Sequence, residues 1–216
     1  MKFEAVLFDL DGTLLDTIED LTDSMNEALK RLGFPGHDSE SCKMFVGDGV
    51  EKFALRALPE NRRDESTVAE CVATMRSVYS KRWDQKTRPY DGIPELLDHL
   101  TSYQIKMSIL SNKPDDSTTE MVAKLLSEWQ FDPVLGARPS IPKKPDPTMA
   151  IQIAEQLQVD PKNVLYLGDT GTDMKTARDS GMFALGALWG FRTAEELMAN
   201  GAKALVAHPM EVLQFF

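Results

Sequence analysis

Apolar residues fall along this chain in two rhythms. Short unbroken runs closed by small or polar residues alternate with stretches where apolar side chains return at every third or fourth position. The first run, Ala5 to Leu10, is broken by Asp9 and ended by Gly12, which predicts a buried parallel strand followed by a loop. Ile105 to Leu110 runs likewise into Ser111, Asn112 and Lys113, and Val164 to Leu167 runs into Gly168 and Asp169. Phe183 to Ala187 and Ala204 to Ala207 repeat the signal more faintly. Between these runs lie helical patterns with suitable starts and stops. Pro94 can begin a helix that aligns Leu96, Leu97 and Leu100, and Asp115 or Asp116 can cap one carrying Met121, Val122, Leu125 and Leu126. Pro147 suits a first helical position ahead of Ile151, Ala154 and Leu157, while Thr193 with Glu196 reads as a capping box stopped by Gly201. Strands alternating with helices predict an α/β fold, a doubly wound parallel-sheet (Rossmann-like) core covered on both faces.

One stretch departs from this alternation. Leu15, Ile18, Leu21, Met25, Leu29 and Leu32 recur at helical spacing up to Gly33, and further helical patterns follow Gly49 and Arg63, with no strand signal before Trp83. Residues 16–84 are therefore expected to form an inserted α-helical domain, with residues 1–15 and 85–216 forming the α/β core. Charge does not separate the two parts. Residues 16–84 carry 10 basic and 14 acidic groups, a net −4, which leaves −6 of the total −10 for the rest.

That total, from 24 basic and 34 acidic residues with a pI near 4.8, gives no basic footprint for nucleic acid and no polybasic attraction to a membrane surface. Hydrophobic residues make up 42% of the chain, enough for a sizeable core and too much for a disordered one. Cys42 and Cys71 form no CxxC pair and read as two buried reduced thiols. The apolar start meets Asp9 and Asp11 too soon for a signal peptide or a membrane span, so a cytoplasmic setting is the expectation. A monomer and a homodimer are both compatible with it.

The chemistry gathers at the strand ends. Asp9, Asp11, Gly12 and Thr13 stand where the first strand gives way to a loop, and in an open parallel sheet ligands bind beyond the carboxyl ends of the strands. Asp9 and Asp11, two apart in an extended segment, point to opposite faces and should do different work. Ser111, Asn112 and Lys113 end the second run, and Asp169 and Asp173 follow the third. Singly, the Asp-Gly pair is a common turn, Asp169 and Asp173 are helix-capping residues, and Lys143 and Lys144 are surface lysines. Together they form a set of hard oxygen donors suited to Mg²⁺, with lysines and backbone N–H groups to neutralise a phosphate dianion.

DLDGT at 9–13, SNK at 111–113, KKP at 143–145 and GDTGTD at 168–173, in this order, resemble the four motifs of the haloacid dehalogenase superfamily of aspartate-nucleophile phosphohydrolases. The resemblance implies Asp9 as the nucleophile, Asp11 as general acid and then base, and Lys144 or its neighbour Lys143 as the lysine facing Asp9 and the transferring group. It implies Mg²⁺ as cofactor, held by Asp9, the backbone carbonyl of Asp11 and Asp169, with Asp173 in support, and phosphoryl oxygens held by Thr13, Ser111 and Asn112. Asp11 argues against the dehalogenase and phosphonatase branches, which lack an acid there, and favours phosphate esters, whose alkoxide leaving group needs a proton. The helical insert resembles the cap of one subgroup. Val46 to Gly49, with Gly47 and Gly49 as substrate-loop candidates, and LWGFR at 188–192 resemble phosphoglycolate phosphatases. Asp48 counts against an anionic substrate unless Lys43 or Arg56 offsets it.

The expectation is a phosphatase acting on a small phosphorylated metabolite. A β-phosphoglucomutase-like mutase or a pyrophosphatase of the same superfamily is the alternative. A phospho-accepting receiver, a binding module, shares the acidic Mg²⁺ site and lysine but lacks both the helical insert and an acid two residues beyond the nucleophile.

Overall fold

The computed structural model describes residues 3–216, which divide into two compact units, 3–15 with Pro89–Phe216 and Asp16–Arg88. Strand β1 (Ala5–Phe8) is followed by β2 (Leu15–Asp16), helices α1 (Ile18–Arg31), α2 (Ser39–Phe45), α3 (Val50–Ala57) and α4 (Glu65–Tyr79), and strand β3 (Arg88–Pro89). Helices and strands then alternate: α5 (Ile93–Ser102), β4 (Lys106–Pro114), α6 (Asp115–Leu125), β5 (Val134–Ala137), α7 (Thr148–Leu157), β6 (Val164–Gly168), α8 (Gly171–Asp179), β7 (Phe183–Ala187), α9 (Ala194–Ala199) and β8 (Ala204–Val206).

In the larger unit six strands pair in the order β5-β4-β1-β6-β7-β8, each pair parallel. The chain moves outward from β1 through β4 to β5, then returns to β6 on the other flank of β1. That reversal is a topological switch point, and it leaves a crevice beyond the carboxyl ends of β1, β4 and β6. Ala5, Val6, Leu7 and Phe8 are wholly buried, as are Val164 to Leu167, because helices cover both faces of the sheet. On one face Leu7 and Tyr166 pack with Ile153 of α7 and Met174 of α8. Phe8 aligns with Ile109 on one side and Leu167 on the other, so the residues just beyond these positions share one edge.

Several elements differ from the sequence expectation. Ser111 to Lys113 lie within β4 rather than in a loop after it, since β4 stays paired with β5 up to Pro114 across a register shift that begins at Leu110. Strand β5 itself was not anticipated; it is short, half-buried and at the sheet edge, so it lacks a strong apolar run. Pro114, rather than Asp115 or Asp116, occupies the cap of α6, and Asp115 instead accepts the Gly136 N–H. Pro147 likewise sits at the cap of α7 with Asp146 accepting the Thr148 N–H.

In the helical unit the unanticipated helix is α2, whose Asp38 cap accepts the Ser41 N–H. Helix α1 buries Ile18, Leu21, Met25 and Leu29 along one stripe, and the thiol of Cys71 in α4 meets Met25 Sδ at 3.7 Å. Both cysteines are buried free thiols. The unit extends to Arg88 rather than to residue 84, because the returning segment is tied to α1. Asp20, fully buried, accepts the N–H groups of Lys86 and Thr87 and the Thr87 hydroxyl at 2.9 Å each. A carboxylate holding three donors at once resists replacement by an apolar group, which would leave those donors buried and unpaired. Asp20→Ala is expected to lower unfolding free energy by roughly 2 kcal/mol or more and to open the 85–88 segment to proteolysis. Chemical denaturation and limited proteolysis check this; unchanged stability would contradict the role given to Asp20.

Candidate active site

Asp9 follows β1 directly, and its backbone N–H continues the ladder to the Leu167 carbonyl at 2.9 Å. Its Oδ1 accepts the Leu10 N–H at 2.7 Å and lies 2.8 Å from Lys144 Nζ. The chain then turns sharply. The Leu10 carbonyl accepts the N–H groups of Thr13, Leu14 and Leu15, and Gly12 takes φ +84°, a conformation that other residues rarely adopt. A side chain at Gly12 would also collide with Asp169, whose Oδ2 lies 2.3 Å from the position of a Cβ there. Gly190 presses on Asp169 from another direction, with its Cβ position 2.3 Å from Asp169 Cβ. Between these glycines Asp169, itself fully buried, accepts the Thr13 hydroxyl at 3.0 Å and the Phe191 N–H at 2.7 Å.

Asp173 completes the group from the first turn of α8. It forms a reciprocal capping box with Thr170, accepting the Thr170 hydroxyl at 2.6 Å and N–H at 3.1 Å. Its Oδ1 also receives Lys144 Nζ at 2.7 Å and the Tyr166 hydroxyl at 3.4 Å. Helix capping and site chemistry thus coincide in one residue. Of the two adjacent lysines, Lys144 reaches this cluster and is buried, while Lys143 is exposed.

Asn112 and Thr13, expected against phosphoryl oxygens, also make hydrogen bonds within the protein. Asn112 donates Nδ2 to the Lys144 carbonyl at 3.1 Å, so it holds the lysine loop, and the Thr13 hydroxyl serves Asp169. Ser111 is buried at the strand end, its oxygen accepting the Lys113 N–H. The Asp11 carboxylate stands apart from the other three and pairs with Lys113. In the helical unit Gly47 and Gly49 flank Asp48 with φ +117° and +93°. Asp48 pairs with Arg56, whereas Lys43 pairs with Glu40. Tyr166 and Thr170 were missed; Lys113 and the Gly190–Phe191 turn stood within the SNK and LWGFR motifs but were given no role. A tyrosine inside an otherwise apolar strand was the one signal that could have marked Tyr166, since a buried hydroxyl needs a partner.

Asp9, Asp169 and Asp173 each present an oxygen within 4.8 Å of the others. Fully ionised, the three carboxylates outnumber the one ammonium in contact with them, in a place shielded from water. The imbalance shows in the acidities. Burial, and then the charge of Asp173, push the Asp169 carboxyl up to about 7 against the pull of the Phe191 N–H and the Thr13 hydroxyl. Asp9 is raised as well, by burial first and by Asp173, with Lys144 opposing. Burial works against the charge on Lys144, but Asp173 and Asp9 outweigh it and hold the ammonium well above its ordinary value. A hard divalent cation fits this donor set: all-oxygen, buried, and short of two positive charges.

A family model for haloacid dehalogenase-like hydrolases matches residues 6–187. The chain belongs to the haloacid dehalogenase-like hydrolases. Among its relatives in this family, a phosphoglycolate phosphatase of Aquifex aeolicus is 31% identical over 186 residues, 86% of this chain and 85% of that one. An N-acetylmuramic acid 6-phosphate phosphatase of Pseudomonas aeruginosa is 32% identical over 216 residues, 99% of this chain and 94% of that one. In structure, a haloacid dehalogenase-like family hydrolase from Streptococcus pneumoniae matches with a TM-score of 0.89 at 27% identity, covering 100% of this chain and 99% of the other. The protein is a phosphoric monoester hydrolase of this family, with the family's parallel sheet and flanking helices. Among the described residues no helix is long and apolar enough to cross a membrane.

The raised acidity constants have a consequence for stability. A carboxyl near 3.8 when unfolded and about 7 when folded contributes stability below pH 3.8, which is lost as the pH rises through 7. Without divalent cation the thermal midpoint should therefore fall between about pH 4 and pH 7, and added Mg²⁺ should restore more of it the higher the pH. Melting curves in chelator and in Mg²⁺ across that range check this. A Mg²⁺ shift of equal size at every pH would contradict the charge imbalance.

Proposed function

We propose that the protein is a Mg²⁺-dependent phosphatase that transfers the phosphoryl group of a small phosphomonoester to Asp9 and then to water. The observation that carries this reading is the Asp9 carboxylate at the end of β1, held by Lys144 Nζ at 2.8 Å inside a buried acidic cluster, with Asp11 two residues further on. Asp9 and Asp169, with the Asp11 carbonyl and the nearby Asp173, are the groups that would hold Mg²⁺. Bound there, the ion supplies positive charge to the phosphoryl oxygens.

The steps then belong to the chain's own residues. An Asp9 carboxylate oxygen attacks phosphorus, the bond from phosphorus to the ester oxygen breaks, and Asp11 gives that oxygen its proton. Asp11, now a carboxylate, takes a proton from a water that attacks the same phosphorus, which releases phosphate and restores Asp9. Lys144 steadies Asp9 and offsets charge on the transferring group, and the Ser111 hydroxyl donates to a phosphoryl oxygen, a role that its burial at the end of the apolar run of β4 supports.

For the substrate we favour 2-phosphoglycolate, on which relatives such as the Aquifex aeolicus enzyme are named as acting. The pairing of Asp48 with Arg56 removes the objection that the Val46 to Gly49 loop carries net negative charge. The Pseudomonas aeruginosa relative, aligned over nearly the whole chain, supports N-acetylmuramic acid 6-phosphate as a second reading. Both esters carry a carboxylate.

Phosphate release from these two compounds, sugar phosphates, nucleotides and pyrophosphate, with and without Mg²⁺, tests the proposal. Strong Mg²⁺-dependent turnover of a carboxylated phosphomonoester is expected. Release from none of them, or release indifferent to Mg²⁺, would overturn it. Asp9→Asn should lower turnover at least ~10³-fold with the melting curve retained, and near-normal activity would remove Asp9 as nucleophile. Asp11→Asn should leave a phosphorylated protein that hydrolyses slowly, visible as an 80 Da gain in intact mass; rapid steady-state turnover without that species would remove Asp11 as acid and base.

A further inference from the structure

Lys113 lies outside the metal-binding cluster, and its ammonium meets both oxygens of Asp11 at 3.0 and 3.2 Å. The pair is largely withdrawn from water, with side-chain exposures of 5% for Lys113 and 15% for Asp11. Exposed ion pairs of this kind wander, and contribute little to defining geometry. A two-point contact on a buried ammonium instead limits the carboxylate to a narrow set of orientations.

The lysine is itself held from both sides. Its N–H donates to Ser111 Oγ at 3.2 Å, and its carbonyl accepts the Thr118 hydroxyl at 3.3 Å. Gly136 packs so closely that a Cβ there would come within 2.7 Å of the Lys113 carbonyl oxygen. The ammonium is therefore mounted on the strand that also carries Ser111. Asp11, by contrast, stands in the turn after β1, bridged to Leu15. Proton transfer needs donor and acceptor heavy atoms within about 2.6–3.2 Å, and a misplacement of about 1 Å costs on the order of 10²-fold.

We propose that Lys113 is a positioning residue for the phosphoryl-transfer reaction: it holds the Asp11 carboxyl at the angle from which it exchanges protons with the leaving group and with water. This rests on the acid and base role given to Asp11. Lys113 itself transfers no proton and forms no bond to phosphorus.

The test compares Lys113→Met, Lys113→Arg, Asp11→Asn and the Asp11→Asn/Lys113→Met pair, with 2-phosphoglycolate and p-nitrophenyl phosphate as substrates. Lys113→Met should lower kcat for 2-phosphoglycolate by ~10²-fold while KM moves less than ~3-fold, and Lys113→Arg should recover much of the loss. With p-nitrophenyl phosphate, whose phenolate leaves without a proton, rapid quench should show a p-nitrophenol burst within ~3-fold of wild type, followed by slow hydrolysis of the phosphorylated protein. In the Asp11→Asn background, Lys113→Met should change the single-turnover phosphorylation rate by less than ~3-fold, because the group it positions is already gone. Circular dichroism confirms folding, and Lys113→Gln replaces Lys113→Met if the latter does not fold.

A loss that multiplies with that of Asp11→Asn, or a raised KM at unchanged kcat, would overturn the proposal and make Lys113 a direct contact of the substrate. Asp11→Asn with wild-type turnover would overturn the role of Asp11, and the positioning role with it.

Discussion

The Lys144 ammonium stands 2.8 Å from Asp9 and 2.7 Å from Asp173 in a place that water scarcely reaches. A buried charge costs far more without a partner than a pair gains by forming, so three carboxylates could not share this pocket unless a cation lay among them. Much of the surrounding structure keeps that cation in place. Asn112 holds the Lys144 carbonyl, and Thr170 and Tyr166 hold Asp173 so that its oxygen faces the lysine. Parallel pairing of β1 with β6 brings Asp9 and Asp169 to one edge of the sheet.

One ammonium is not enough to balance three carboxylates. Burial, and then the charge of Asp173, push Asp169 up to about 7, a cost that folding elsewhere has to offset. Excess negative charge is costly to leave unneutralised, which favours a small hard cation in this pocket. The two glycines pressed against Asp169 serve the same end, since any side chain at 12 or 190 would occupy the space around its carboxylate. Lys113 and Asp11 form a separate pair, so the proposed acid and base lies beside the pocket rather than within its cluster of carboxylates.

Much of this was legible before any coordinates. The unbroken apolar strands, with Asp9 and Asp169 directly beyond β1 and β6, gave the sheet type and the edge on which chemistry collects, because strands buried on both faces cannot alternate. The four motifs together singled out Asp9, Asp11, Asp169 and Asp173 and the adjacent pair Lys143 and Lys144. Choosing Lys144 over Lys143 required the turn of the backbone, since adjacent lysines differ only in which way each side chain leaves the loop. The intramolecular partners of Thr13 and Asn112 were not legible for a related reason: a hydroxyl or an amide in a motif has several possible partners within reach, and packing decides among them. Strand β5 and helix α2 escaped notice because one is a half-buried edge strand and the other is short, with its start signalled only by Asp38.

The account stands most directly on where the phosphoryl group and the cation go. A crystal structure grown with Mg²⁺ and beryllium fluoride would show both at once. The expected result is a beryllium trifluoride group bonded to an Asp9 carboxylate oxygen, Mg²⁺ between Asp9 and Asp169, and Lys144 still in contact with Asp9. Fluoride bound away from Asp9, or Mg²⁺ held by residues outside the Asp9, Asp169 and Asp173 group, would contradict it.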